Sequence, residues 1–233
     1  MKKKAVIVLA IASTFFCGIG SASPLTDYSA GKTAIDLTWR SADINGDNQG
    51  DNADFGNKKG LDWGITTGLG NNFALQYSGY NVKSKEAVLY QDATETFSMK
   101  SQLKTQEINV LYRLNDNLSA YTGLVRLSGN NSVKDVLNNV ATEQSFDMNT
   151  KNKIQIGLVG STKIAEKTTA YVQVGLASDY TNWKIGLSQE FAPNLELNVD
   201  YRRLEAKNLN YVGTNNSIDA TIKGVGFGVT YKF

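Results

Sequence analysis

Apolar and polar residues alternate with a period of two along most of this chain. In Leu195-Glu196-Leu197-Asn198-Val199-Asp200-Tyr201-Arg202 every odd position is apolar and every even position is polar or charged. The last run sets Val225, Phe227, Val229, Tyr231 and Phe233 against Gly224, Gly226, Gly228, Thr230 and Lys232. Period two is the signature of a strand with one apolar face. The same rule places Ile35, Leu37 and Trp39 opposite Asp36, Thr38 and Arg40, and Leu61, Trp63 and Ile65 opposite Asp62, Gly64 and Thr66. Phe73, Leu75 and Tyr77 continue it. Ile108, Val110, Tyr112 and Leu114 oppose Glu107, Asn109 and Arg113, with Leu111 out of place on the polar face. Ile154 and Ile156, Val172 and Val174, and Trp183, Ile185 and Leu187 head three further runs. The run 118–127 is strand-like without a clear parity, as a bulge would leave it. The pattern predicts ten strands, with eight as the alternative count.

The connections between these runs fall into two kinds. Gly70-Asn71-Asn72, Asn115-Asp116-Asn117, Ala192-Pro193-Asn194 and residues 162–167 are tight turns. Polar stretches at 42–58, 83–98, 128–150, 177–181 and 205–217 are predicted loops, and short and long connections alternate. An up-and-down antiparallel barrel with short turns at one end and longer external loops at the other has this form. Helical spacing of Val133, Val136 and Val140 competes with a plain loop over 132–141.

The first 22 residues read differently. Lys2, Lys3 and Lys4 precede an apolar run to Ile19, and Gly20-Ser21-Ala22 supplies small residues for cleavage, so residues 1–22 are predicted to be a secretory signal and 23–233 one barrel domain. Phe15 and Phe16 ahead of Cys17, the one cysteine, do not suit lipidation. Removing these residues takes away three lysines and no acid, which turns the net charge from +2 to −1 and leaves no electrostatic footprint for nucleic acid.

Alternation alone does not tell a soluble barrel, apolar inside, from a membrane barrel, apolar outside. Tryptophan position helps. Trp39 ends one strand, while Trp63 and Trp183 begin strands of the opposite direction, so all three share the external rim with Tyr201. Tyr112, Phe191, Tyr231 and Phe233 fall near the other rim, as paired aromatic girdles require. The charged parity, Asp36, Arg40, Asp62, Arg113, Lys153, Lys184, Glu196, Asp200 and Arg202, must then face the lumen, where Asp36, Arg40, Arg113, Glu196, Asp200 and Arg202 are expected to pair across the bore. Inward glycines, among them Gly64, Gly68, Gly186, Gly224, Gly226 and Gly228, argue for a wider lumen.

The closing Val229-Thr230-Tyr231-Lys232-Phe233, with Phe227, Tyr231 and Phe233 as its aromatics, resembles the C-terminal signature of bacterial outer-membrane β-barrel proteins. In pattern the mature chain resembles the small barrels described as opacity or porin-like. The resemblance implies an outer-membrane location after export, lipid as the surrounding partner, and recognition of the terminal aromatics by the barrel assembly machinery.

Candidate chemistry is sparse. The chain has no histidine, which removes Ser-His-Asp hydrolysis and the histidine-dependent outer-membrane phospholipases, deacylases, palmitoyltransferases and omptin proteases as families. Asp43, Asn45, Asp47, Asp51 and Asp54 stand at positions 1, 3, 5, 9 and 12 of a twelve-residue window that resembles the calcium loop of dockerin and EF-hand proteins, with calcium as the implied cofactor. Asn48 stands where that pattern has glycine and Asp54 where it has glutamate, and an Asn/Asp/Gly-rich external loop reads equally well. Lys58 and Lys59 beside it could meet lipid phosphates at the rim. The sequence therefore predicts no enzyme, but a barrel with a structural or surface-interaction role and a largely filled lumen. The alternative is a narrow passive pore for ions or small solutes, and no external ligand is specified.

If the terminal signature acts as the resemblance implies, deleting Phe233 lowers outer-membrane levels of the protein while leaving export intact. Fractionation with immunoblotting checks this, and unchanged outer-membrane levels would contradict it.

Overall fold

A computed structural model describes residues 24–48, 51–138, 140–213 and 217–233, without the side chains of 48, 51–55 and 57. The predicted signal, residues 1–22, lies outside them. The strands are β1 (Thr33–Asn48), β2 (Asp51–Gly70), β3 (Phe73–Lys83), β4 (Ala87–Gln91), β5 (Glu95–Asn115) and β6 (Leu118–Leu137). They continue as β7 (Val140–Asp147), β8 (Lys151–Ala165), β9 (Thr168–Ala177), β10 (Tyr180–Ala192), β11 (Leu195–Asn210) and β12 (Ser217–Lys232). All pairings are antiparallel. β12 closes on β1 and β5 closes on β6, which makes a ten-stranded barrel. β4 prolongs β3 along one flank of β5, and β7 prolongs β8 along one flank of β6. Closure leaves no edge at membrane depth, which lipid demands because it cannot hydrogen-bond a free N–H or C=O.

Each predicted tight turn is present with a register shift just before it, at Gly68/Gly70, Arg113/Asn115, Lys163/Ala165 and Glu190/Ala192. Asn71, Asn72 and Asn194 sit at positive φ, which asparagine tolerates better than most residues. The predicted loops are largely strand instead. Residues 42–48 and 51–58 stay in β1 and β2, 128–137 stays in β6, and 177–181 reduces to a turn at Ser178 and Asp179. The helical alternative over 132–141 is replaced by the β6–β7 hairpin.

The reason lies in an inversion of the inner and outer faces. In the lower part of β1, Ile35, Leu37 and Trp39 are exposed on the outside while Thr38 and Arg40 are buried within. Two residues further up, the buried inward positions are Ala42 and Ile44, and the outward ones are Ser41 and Asp43. β11 does the same: Glu196, Asp200 and Arg202 give way to buried Leu204 and Ala206, while Leu197 and Val199 give way to Arg203 and Glu205. Below the inversion the barrel is a membrane barrel, and above it a water-soluble one. Polar residues on the outer face made the upper segments look like loops.

The upper lumen is an apolar core of Ala42, Ile44, Tyr80, Val82, Leu103, Val125, Leu127, Met148, Tyr180, Leu204, Ala206, Leu209, Ala220 and Ile222. A smaller cluster fills the lower mouth, where Leu25 and Tyr28 of the segment before β1 pack on Ala34, Ala74, Leu111, Tyr121 and Val159. The Tyr28 hydroxyl donates to Ser119 Oγ at 3.0 Å. Leu111 is apolar on the inward parity because it meets this segment. β6 pairs in unbroken register with β8 from Leu118 and with β5 from Ser119, and the extra residue of the shift is Leu114 of β5, so no bulge of β6 hides its parity. Tyr121, Val125 and Leu127 are simply apolar residues that point inward.

Truncating Leu127, which is fully buried, to Ala removes packing from the upper core and should cost about 2–5 kcal/mol. Leu137→Ala, at an exposed site, should stay within about 0.5 kcal/mol. Denaturant unfolding of the refolded barrel followed by tryptophan fluorescence distinguishes the two.

Candidate functional site

Between the two apolar plugs lies a layer of buried charge. Arg40 enters from β1, Asp62 from β2, Glu107 from β5, and Asp200 and Arg202 from β11. Their inward parity is set by the lipid-facing residues beside them: Trp39, Leu61, Ile108, Val199 and Tyr201. Arg40 contacts Asp200 at 2.5 Å and Asp62 at 3.0 Å. Arg202 contacts the same Asp62 oxygen at 3.0 Å and Glu107 at 3.5 Å. Asp62 therefore bridges two guanidinium groups across the barrel. Arg40 also donates to the Gly224 carbonyl at 3.1 Å, and Arg202 Nε to Asn182 at 2.8 Å.

Neutral groups complete the coordination of Glu107, which accepts from Tyr180 at 3.0 Å, Asn182 at 3.3 Å and Gln155 at 2.9 Å. Gln155 and Asn109 extend the network to Gln76 through bonds of 2.7 and 3.2 Å. The Tyr80 ring roofs the layer, with the Arg202 guanidinium 4.7 Å and that of Arg40 5.9 Å from its centroid. Tyr80 and Tyr180 both belong to the apolar core above, so they join the two layers. A second ionic pair, Glu196 with Lys232 at 2.6 Å, lies lower down with Ser188 donating to Glu196 at 2.7 Å. Thr230 links Asn198 to Asp36. Water-sized space remains below the arginines: one cavity of about 50 Å³ bordered by Asp36, Asp62, Glu107 and Lys184, and one of about 30 Å³ near Tyr171 and Asp200.

The sequence-predicted lumen charges are thus brought together in part. Arg40, Asp200 and Arg202 share one network. Glu196 is inward but meets Lys232 rather than Arg40, and Asp36 meets Thr230. Arg113 does not join: it sits at the lower rim, donating to Asn72 at 3.0 Å and to the Thr26 carbonyl at 3.4 Å. Asp62 was expected to face the lumen but not to pair with Arg40 and Arg202, and Glu107 and Lys232, on the inward parity too, were not among the charges expected to pair. Counting residues back from each tight turn would have put Asp62 and Glu107 level with Arg40. The inward glycines do not widen the bore. A Cβ on Gly226 would stand 3.0 Å from the Arg40 guanidinium carbon, and one on Gly186 would stand 2.6 Å from the Tyr171 ring. Large neighbours have taken that space.

The candidate calcium loop takes another form. Asp43, Asn45 and Asp47 follow one another along extended β1, and Asn45 pairs with Asp54 and Asn48 with Asp51 across the β1–β2 hairpin. Alternate strand residues stand about 6.6–6.8 Å apart, so Asp43, Asn45 and Asp47 lie along an extended strand instead of around a loop. The side chains of Asp51 and Asp54 lie outside the described residues. Among the described residues no three His, Cys, Asp or Glu side chains are grouped to hold a metal. Lys58 and Lys59 are exposed, opposite Ala42 and Ser41. At the external turns, hydrogen bonds from Tyr90, Thr94 and Glu95 hold the Asp92 carboxyl well below the usual carboxylate range, and bonds from Lys153 and Asn208 lower that of Asp179.

The outside carries the girdles. Trp183 lies tilted against Tyr201 at 5.5 Å and Trp63 meets Tyr77 edge-on at 5.1 Å at the upper rim. Phe73 with Tyr112 at 4.9 Å and Tyr231 with Phe233 at 4.8 Å mark the lower one. Ile35, Leu75, Ile108, Val110, Ile156, Leu187, Leu197 and Phe227 are exposed between them.

Solved structures resemble this chain to different degrees. The outer membrane protease OmpT from Escherichia coli matches with a TM-score of 0.57 at 10% identity, over 87% of this chain and 97% of that one. Ail, the attachment invasion locus protein of Yersinia pestis, matches with a TM-score of 0.39 at 13% identity, over 85% and 99% of the two chains. Neisserial surface protein A matches with a TM-score of 0.38 at 13% identity, over 88% and 98%. No protein-family model matches the chain, and no curated protein does. The likeness to OmpT is one of fold. With its apolar outer belt and closed ten-stranded sheet, the chain has the fold of an outer-membrane β-barrel.

Asp62→Ala would leave Arg40 and Arg202 without their shared partner and should destabilise the refolded barrel by about 3–5 kcal/mol. Arg113→Ala, at the wet rim, should cost less than about 1 kcal/mol. Urea unfolding checks the contrast, and equal effects would contradict the placement of the layer.

Proposed function

We propose that the barrel is a closed, non-catalytic scaffold whose role is structural or surface-interacting, not a conduit. The observation that carries this reading is the Asp62 bridge between Arg40 and Arg202, set between an apolar core above and the Leu25–Tyr28 plug below. An ion crossing the bore would have to displace charges that are costly to unpair and then enter a dry apolar region. The buried carboxylates are engaged by arginine or lysine, which argues against their use as general acids or bases. Outward Lys59, Lys104 and Arg126, just above the aromatic rim, suit contact with lipid phosphates.

A narrow pore is the competing function. Planar-bilayer recording of the refolded protein tests the choice. The closed reading expects no steady conductance, with leakage rising when Arg40 and Arg202 are both replaced by Ala. Steady nanosiemens steps from the unsubstituted protein would overturn it in favour of the pore.

A further inference from the structure

The upper ends of β5 and β6 rise past the rest of the barrel with β4 and β7 on their flanks, as a four-stranded sheet with two free edges. β4 is five residues long and interrupted between Val88 and Tyr90, which blunts its edge. β7 is eight residues long, pairs with β6 without a register shift, and contains no proline or lysine. All eight of its side chains are exposed.

The direction of its backbone groups is fixed at its lower end. Met148 N–H donates to Gly129 of β6, whereas the Asp147 carbonyl points the other way and accepts from Val212 N–H at 2.9 Å. By alternation Ala141, Glu143 and Ser145 turn their N–H and C=O groups toward the free edge. The segment at Tyr211 and Val212 has already begun to pair there, through the Met148–Tyr211 bridge, before the chain turns at Gly213. Above that point, among the described residues, the edge pairs with no strand.

The sheet face beside this edge is also unfinished. Ala87 and Met99 pack against the upper core, and the same face continues through Val133, Leu137, Val140 and Phe146, with Asp135, Thr142 and Gln144 between them. Leu137, Val140 and Phe146 are 51%, 69% and 44% exposed. On the opposite face Glu143 lies beside Lys134, and Lys100 pairs with Glu86 at 3.0 Å.

We propose that the free edge of β7 is a docking site for an extended polypeptide segment of an external partner, which adds a strand antiparallel to β7. The unpaired N–H and C=O groups at strand spacing select a polypeptide backbone. The apolar face beside them selects apolar residues at alternate positions. Glu143 selects a basic residue on the other face, extending the alternation of charge. This site gives the surface-interaction reading a partner class and rests on that reading.

The probe is a fluorescein-labelled peptide, Lys-Val-Thr-Val-Lys-Val-Thr-Val, titrated with the refolded full barrel in detergent and followed by anisotropy. Saturable binding is expected, weakened at least tenfold by the double variant Glu143→Pro, Ser145→Pro. Those prolines remove only N–H groups that point away from β6, so the hairpin persists. The same loss is expected when the peptide is N-methylated at its lysines and threonines, which share the Glu143 face and so turn their N–H groups toward β7, and the barrel is unchanged, which does not depend on how the variant folds. Absence of saturable binding at millimolar barrel, or equal affinity for the N-methylated peptide, overturns the docking site. Conductance is a separate readout: a barrel that is ion-tight but does not bind loses only this inference, and one that conducts loses the closed-scaffold reading.

Discussion

A guanidinium group stays charged at any pH the protein meets, so two of them inside a ten-stranded barrel must be matched by carboxylates or not be there at all. Arg40 and Arg202 are matched by Asp62, Asp200 and Glu107, and the rest of the lumen is arranged around that match. Tyr80 and Tyr180 cover the charges from above with apolar bodies. The glycines at 186 and 226 make room for Tyr171 and Arg40. Asn182 bonds Arg202 and Glu107, and Gln155 bonds Glu107 and Asn109, while among the described residues Arg40 Nε and Gln155 Oε1 have no hydrogen-bond partner. A buried network of this kind is stabilising only when its members are satisfied.

The layer also marks where the barrel changes solvent. Below it, lipid requires an apolar outside and leaves polar groups to the lumen. Above it, water requires a polar outside and the lumen becomes an ordinary hydrophobic core. Arg40 and Arg202 stand at the crossover on β1 and β11, each followed two and four residues later by buried apolar side chains. The charges thus sit where a polar interior meets an apolar one, and the tyrosines supply the join.

Much of this was legible in the sequence. The ten barrel strands, the four tight turns and the aromatic rims follow from the period of two and the positions of tryptophan. Parity also placed Arg40, Asp200 and Arg202 inside. The extramembrane strands were not legible as strands, because residues such as Ser41, Asp43, Arg203 and Glu205 read as loop when only the outer face is followed. The same segments keep the period of two with its sense reversed, as Ala42, Ile44, Leu204 and Ala206 display. Arg113 was misassigned because parity gives a face but not a height, and its height is the lower rim. Parity put Asp62 inside as well, but neither its pairing with the two arginines nor that of Glu107 was foreseen, because their height follows only from hairpin register. Leu25 and Tyr28 carry no strand period, so nothing in the pattern announced a plug.

Solvent access to the lumen from outside tests the central claim most directly. Thr38 lies just below Arg40 on the inward parity and is 8% exposed, whereas Ser41 faces outward. Thr38→Cys and Ser41→Cys would be labelled separately on intact cells with a membrane-impermeant maleimide, and Thr38→Cys again with Arg40 and Arg202 both replaced by Ala. The account predicts rapid labelling at 41, none at 38, and labelling at 38 once the arginines are gone. Labelling at 38 in the otherwise unchanged barrel at the rate seen at 41 would contradict a lumen closed by charge.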